Sequence, residues 1–295
     1  MPIRIGTRGS RLALAQAAEV AALLEEETEL VPISTAGDRG ASPARSPSGV
    51  KGLFVAEISD ALARGDVDVA VHSAKDLPSD DPPGVVVAAV PERSLPYDVF
   101  VTRDGDLPEG ARVGTSSLRR RAQLLRARPE LTVEDARGNV DTRLRRLDEG
   151  RYDAVVLAAA GLARLGIEPA HAEPIPVEEM VPAPGQGALA VQAVEGSAVA
   201  EAVAGIDHAP SRARFECERA LVRHLGGGCR LPLGAYAEWR DEGVRLLAMV
   251  IRPDGTEVLW AQVEAAGAGQ AAGEAAEILR DGGAERILQE AGSDG

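Results

Sequence analysis

Lys75 and Asp76 stand side by side in the stretch Asp66–Pro78, DVDVAVHSAKDLP, where an ammonium and a carboxylate follow an alternating apolar run. A carboxylate at such a place can stabilise a developing cation or handle a proton. In a solvated loop the same dipeptide would be an ordinary charge pair of little consequence. Lysine usage favours the chemical reading. Lys51 and Lys75 are the only lysines of a chain whose other strong bases are all arginine, which points to sites needing a compact, orientable ammonium.

Three further stretches share the character of this loop: TRGS (7–10), GTSSLRRR (114–121) and RGNVDTR (137–143). Each follows a short apolar run and opens a helical pattern. Helix N-termini offer unpaired N–H groups to anions, and hydroxyls and arginines there add charge-assisted grips on carboxylate or phosphate. Together they imply a polyanionic ligand in a cleft. Arg119, Arg120 and Arg121 are consecutive, so a helix cannot aim all three one way; Arg121 is expected to be the solvated one. Arg145 and Arg146 lie deeper in their helix and are read as surface charges paired with Asp148 or Glu149.

There are two cysteines. Cys217 lies mid-helix in RFECERA and reads as a small buried hydrophobe. Cys229 follows Gly226-Gly227-Gly228 in GGGCRLPLG, a permissive backbone, and reads as a reactive or covalently occupied thiol. Two cysteines make no disulfide framework, and four scattered histidines show no metal-ligand spacing, so no metal site is expected.

These residues need elements to hold them. Val67, Val69 and Val71 alternate with polar positions, as in a strand, and Pro78 closes the turn after it. Strands are expected at Ile3–Ile5, Leu30–Ser34, Val85–Val90, Ala111–Gly114, Leu131–Glu134, Ala154–Leu157 and Ala188–Val194. Helices are expected at about 11–26 (capped by Ser10), 51–64, 118–128, 140–149 and 158–165. This alternation argues for parallel α/β sheets. Residues 35–49 are rich in Gly, Ser, Pro and Ala and read as a mobile loop. Beyond about residue 208 the pattern changes to a helix, three strands with a Pro253-Asp254-Gly255 turn, and two closing helices, which suits a separate small α+β domain.

Length and composition set outer limits. The 295 residues suffice for two or three domains. Aromatics are 3%, so Val, Leu, Ile and Ala must build the cores. A net charge of −14 argues against nucleic acid as a partner. No signal peptide or membrane-spanning run is visible, and the chain reads as cytoplasmic. PGQGALA imitates a dinucleotide fingerprint but precedes a strand, so that reading is rejected.

Taken together, the strings IGTRGSRLALAQA, VKGLFVAEI, DVDVAVHSAKDLP, VGTSSLRRRAQL, ARGNVDTRL, YDAVVLAAAGLARLG, PGQGALA and GGGCRLPLGAYA resemble the porphobilinogen deaminase (hydroxymethylbilane synthase) family, in order and over nearly the whole chain. The resemblance implies two periplasmic-binding-protein-like α/β domains plus a small α+β C-terminal domain. The divisions are 1–91 with 187–206, then 95–182, then 208–295. It implies a dipyrromethane cofactor in thioether linkage to Cys229, on which four porphobilinogen molecules are condensed head to tail with loss of ammonia to give hydroxymethylbilane. Asp76 matches the catalytic aspartate and also contacts the cofactor. Lys75, Ser73, Thr115, Ser117, Arg119 and Arg120 match cofactor-binding positions. Arg8, Ser10, Arg137, Arg143, Gln186 and Lys51 match substrate-side positions, with Gln186 between domains. A monomer is implied, with no nucleic-acid or membrane partner. One departure stands out: the loop before Lys51 carries Pro47 where the family often has another lysine. The rival class is a two-lobed anion-binding or sensor protein without catalysis, which would need no cysteine after a glycine run.

Overall fold

The computed structural model describes residues 1–34, 49–226, 231–240 and 243–293. Cys229 and the loop 35–48, with Pro47, lie outside the described residues, as does the side chain of Lys51.

The chain opens with β1 (Ile3–Arg8), α1 (Arg11–Leu23), β2 (Thr28–Ile33), α2 (Gly49–Ala63), β3 (Val69–Ser73), a short 3-10 helix (Ala74–Asp76) and β4 (Val85–Ala89). Ser10 caps α1 by accepting from the Ala13 N–H. The helix stops at Leu23, short of the expected residue 26. Glu25, Glu26 and Glu27 follow, and negative charge opposes the dipole at a helix C-terminus.

A first crossing, residues 90–97, leads to β5 (Asp98–Thr102), β6 (Arg112–Gly114), α3 (Leu118–Ala127), β7 (Thr132–Glu134), α4 (Val140–Asp148), β8 (Ala154–Ala158), α5 (Ala159–Leu165) and β9 (Ala172–Ile175). A second crossing returns the chain as β10 (Leu189–Val194) and α6 (Ala198–Val203). The last part holds α7 (Ala209–His224), β11 (Leu233–Arg240), β12 (Gly243–Ile251), β13 (Val258–Ala265), α8 (Ala268–Asp281) and α9 (Ala284–Ser293).

Among the described residues the strands form three sheets, in the orders β2-β1-β3-β10-β4, β7-β6-β8-β5-β9 and β11-β12-β13. The two five-stranded sheets with helices around them, joined by two crossings, give the two-lobed periplasmic-binding-protein-like plan, and a small α+β unit follows. The sheets are not all parallel, as the alternation suggested. β10 runs antiparallel to β3 and β4, and β5 antiparallel to β8 and β9. β5 and β10 enter from the opposite lobe, so no crossover helix on their own sheet dictates their direction. Neither β5 nor β9 is among the strands expected above; β9 is a short edge strand carrying Pro174, where the missing N–H is tolerated.

The crossings lie against each other. The Ser94 N–H donates to Gly187 O. Gly187 has φ +89°, and a Cβ there would stand 2.6 Å from Ser94 O, so only glycine fits. The third unit meets both lobes. Leu247, Met249 and Ile251 pack with Ala122 of α3 and Val181 of the second crossing. Phe215 of α7 packs with Ala74 and Leu77.

Candidate active site

Ala74 and Leu77 are buried on either side of Lys75 and Asp76. Leu77 N–H donates to Ala74 O, and Ala74 N–H to Ala188 O of the returning chain. The two apolar residues pin the turn, so Lys75 and Asp76 are held half-buried at the end of β3. Ser73, half-buried in the same place, accepts from Gln16 Nε2 of α1 at 2.7 Å.

The second lobe presents its arginines differently from the simple expectation. Ser117 caps α3 by accepting from Arg120 N–H, and Thr115 Oγ1 accepts from Ser117 N–H at 3.2 Å. Both hydroxyls therefore build the loop. Arg119 and Arg120 are both buried against one carboxylate, Asp98 at the start of β5: Arg119 Nη2 to Oδ2 and Arg120 Nη2 to Oδ1, each 2.7 Å. Asp98 is wholly buried. Burial disfavours its charge, but the two guanidinium groups more than offset this and hold its carboxyl well below the usual range. Arg121 is exposed, as expected from helix periodicity, and rests on Val133 O. Arg145 pairs with Glu149 at 2.6 Å, while Arg146 donates to Arg137 O.

The charges around Asp98 do not balance. Two guanidinium groups face one carboxylate, and Arg119 Nε is buried with no hydrogen-bond partner among the described residues. Arg143, whose Nε donates to Gly138 O, has its pKa lowered to about 10, by burial first and then by the charge of Arg120. Around Asp98 there is thus a local excess of buried positive charge, two guanidinium groups to one carboxylate, which a bound carboxylate would relieve. Arg137 is mostly exposed and pairs with Asp135.

Gln186 joins the two sides. Its Nε2 donates to Asp98 Oδ1 and Pro96 O, both at 2.8 Å, and its Oε1 lies 3.5 Å from Lys75 Nζ. Gly185, at φ +73°, is so close to the 74–75 backbone that a Cβ would stand 3.0 Å from Lys75 N. Arg8 and Ser10 are half-buried at the β1–α1 junction. Across the lobes, Arg164 of α5 bonds Glu19 of α1 and Gly187 O, and Arg11 pairs with Asp141 of α4 at 2.8 Å.

Asp98, Gln16 and Arg164 were not singled out in the sequence. For two of them a signal existed: Asp98 is the lone acid of DVFVT, and Gln16 interrupts the apolar LALAQAA. A polar residue inside an apolar segment needs a partner. Cys217 is fully buried, and burial pushes its thiol pKa up to about 12, as its helical setting implied.

The comparisons with known proteins agree over most of the chain. Residues 3–202 match the family model described as porphobilinogen deaminase, dipyromethane cofactor binding domain, and residues 213–282 match porphobilinogen deaminase, C-terminal domain. The chain is 48% identical over 271 residues to porphobilinogen deaminase of Thermus thermophilus, covering 88% of each. It is 44% identical over 306 residues to that of Ralstonia nicotianae, covering 98% of this chain and 92% of that one. Among solved structures, the periplasmic VFT2 domain of Bordetella pertussis BvgS is similar with a TM-score of 0.40 and 15% identity, over 68% of this chain and 84% of that one.

Proposed function

The chain belongs to the porphobilinogen deaminase family, and from that premise we propose that it condenses four porphobilinogen molecules head to tail, with loss of ammonia, into hydroxymethylbilane on a covalent dipyrromethane primer held by Cys229. The observation that carries this reading is the local imbalance at Asp98: Arg119 and Arg120 share this one buried carboxylate, with Arg119 Nε unpartnered among the described residues and Arg143 close enough to feel the charge of Arg120. Pyrroles bearing acetate and propionate groups are polycarboxylates, so the residues present fit both the substrate and the cofactor.

Dipyrromethane, when bound, supplies the nucleophilic pyrrole carbon at which chain growth begins. Everything else falls to the protein. Lys75, Ser73, Thr115, Ser117, Arg119 and Arg120 would hold the cofactor carboxylates. Arg8, Ser10, Arg137, Arg143, Gln186 and Lys51 hold those of substrate and growing chain. Loss of ammonia from porphobilinogen breaks its aminomethyl C–N bond and leaves a cation on the substrate pyrrole. Asp76, half-buried in the turn after β3, is the carboxylate assigned to face that cation and accept a hydrogen bond from the ring N–H. The new C–C bond consumes the cation, and the attacked ring carbon gives up a proton.

The test is single-turnover consumption of porphobilinogen by cofactor-loaded Asp76→Asn, normalised to folded protein. A fall of about 100- to 1000-fold is expected, the scale for losing one preorganised electrostatic contact. A near-wild-type rate would remove Asp76 from the mechanism.

A further inference from the structure

Asp98 does more than neutralise charge. Its Oδ1 accepts from Arg120 Nη2, Arg120 Nε at 3.2 Å and Gln186 Nε2, and its Oδ2 accepts from Arg119 Nη2. Three side chains from two separate segments thus converge on one group that can only accept. This fixes the orientation of Gln186. An amide has one donating and one accepting end. With Nε2 committed to Asp98 and Pro96 O, Oε1 is turned toward Lys75 Nζ in the other lobe. Arg120 Nη1 donates to Val156 O and Arg119 Nη1 to Val181 O, which leaves Arg119 Nε without a partner among the described residues. Both guanidinium planes are therefore held in place, and Arg93 Nε clamps Gln186 O from behind.

We propose that Asp98 is a positioning residue that sets the register between Lys75 of the first lobe and the Arg119–Arg120 pair of the second, acting through the Gln186 amide. Given the function proposed above, the groups so registered are those that hold the carboxylates of cofactor and substrate. Asn at position 98 can turn a donor toward Gln186 or the arginines, which reverses or breaks the relay while keeping the shape.

The experiment compares wild type, Asp98→Asn, Gln186→Met and the double variant, with folding checked by circular dichroism. Intact mass gives the fraction carrying covalent dipyrromethane, and steady-state kinetics give kcat and KM. Loss of a hydrogen bond to a charged group should raise KM about tenfold with kcat little changed, and should lower the loaded fraction. The double variant should be no worse than Asp98→Asn, because both substitutions cut one relay. Additive effects, or a wild-type KM in Gln186→Met, would overturn the proposal. Should Asp98→Asn not fold, Gln186→Met decides alone, since it leaves both ion pairs intact. A further readout does not depend on the reaction. With two lysines, 13C reductive methylation gives a resolvable Lys75 signal, whose titration should shift in Asp98→Asn and Gln186→Met alike. An unmoved Lys75 signal overturns the relay. A wild-type chain at its bare sequence mass would instead count against the proposed function, leaving the Lys75 signal to judge the relay.

Discussion

Arg93, in the first crossing, grips Glu218 of α7 with both ends of its guanidinium, at 2.7 and 3.2 Å, and both side chains are buried. The same carboxylate accepts from the N–H of Gly185 in the second crossing at 2.6 Å and from Ala237 N–H of β11 at 2.9 Å. One acid of the third unit thus ties together both connections between the lobes. Glu218→Gln leaves the Arg93 charge buried without its counter-ion. Removing one partner of a buried pair costs about 3–5 kcal/mol. A clear drop in thermal midpoint is expected, against little change for Glu216→Gln on the more exposed side of the same helix. Equal midpoints for the two variants would refute the clamp.

The two cysteines should behave oppositely. Cys217 is buried with its thiol raised to about 12, so it should resist alkylation in the native protein, and Cys217→Ser should keep the dipyrromethane. Cys229→Ser should abolish it. Intact mass and reaction with Ehrlich's aldehyde read both outcomes. Cofactor retained in Cys229→Ser would sink the attachment assignment.

Position within α3 should separate Arg120 from Arg121. Arg120→Leu strands Asp98 with one counter-ion in a desolvated site, so it should impair both stability and cofactor assembly. Arg121→Leu, at the exposed surface, should stay within about 0.5 kcal/mol of wild type. Denaturation midpoints and loaded fractions measure this, and similar losses at both positions would contradict it.

His72 gives a pH signature. It is buried on β3, and burial lowers its pKa to about 4 despite the nearby Asp76 and Asp81. The unfolded chain takes up this proton near pH 6.5 and the folded chain only near 4, so the unfolded state binds more protons in between. Stability from this group is fully present above about pH 6.5 and is lost progressively as pH falls toward 4. In His72→Gln, the slope of stability against pH in that window should be shallower by up to about 1.4 kcal/mol per pH unit. Parallel curves for variant and wild type would show that His72 titrates normally.

Much of this molecule is local and therefore legible in its sequence. The strand–loop–helix units around Arg8, Lys75, Thr115 and Arg137 follow from short apolar runs, capping residues and turn chemistry, which depend on neighbours along the chain. Ser10 and Ser117 cap the helices they precede for the same reason. The burial of Cys217 follows from its place on a helix face. What the tertiary structure decided lies between distant segments. The antiparallel insertion of β5 and β10 depends on where the crossings deliver the chain, which periodicity does not encode. The convergence of Arg119, Arg120 and Gln186 on Asp98 spans 88 residues between Gln186 and Asp98. Which carboxylate a buried guanidinium meets is fixed only when desolvation forces every buried charge to find a partner, and that requirement acts on the folded chain as a whole.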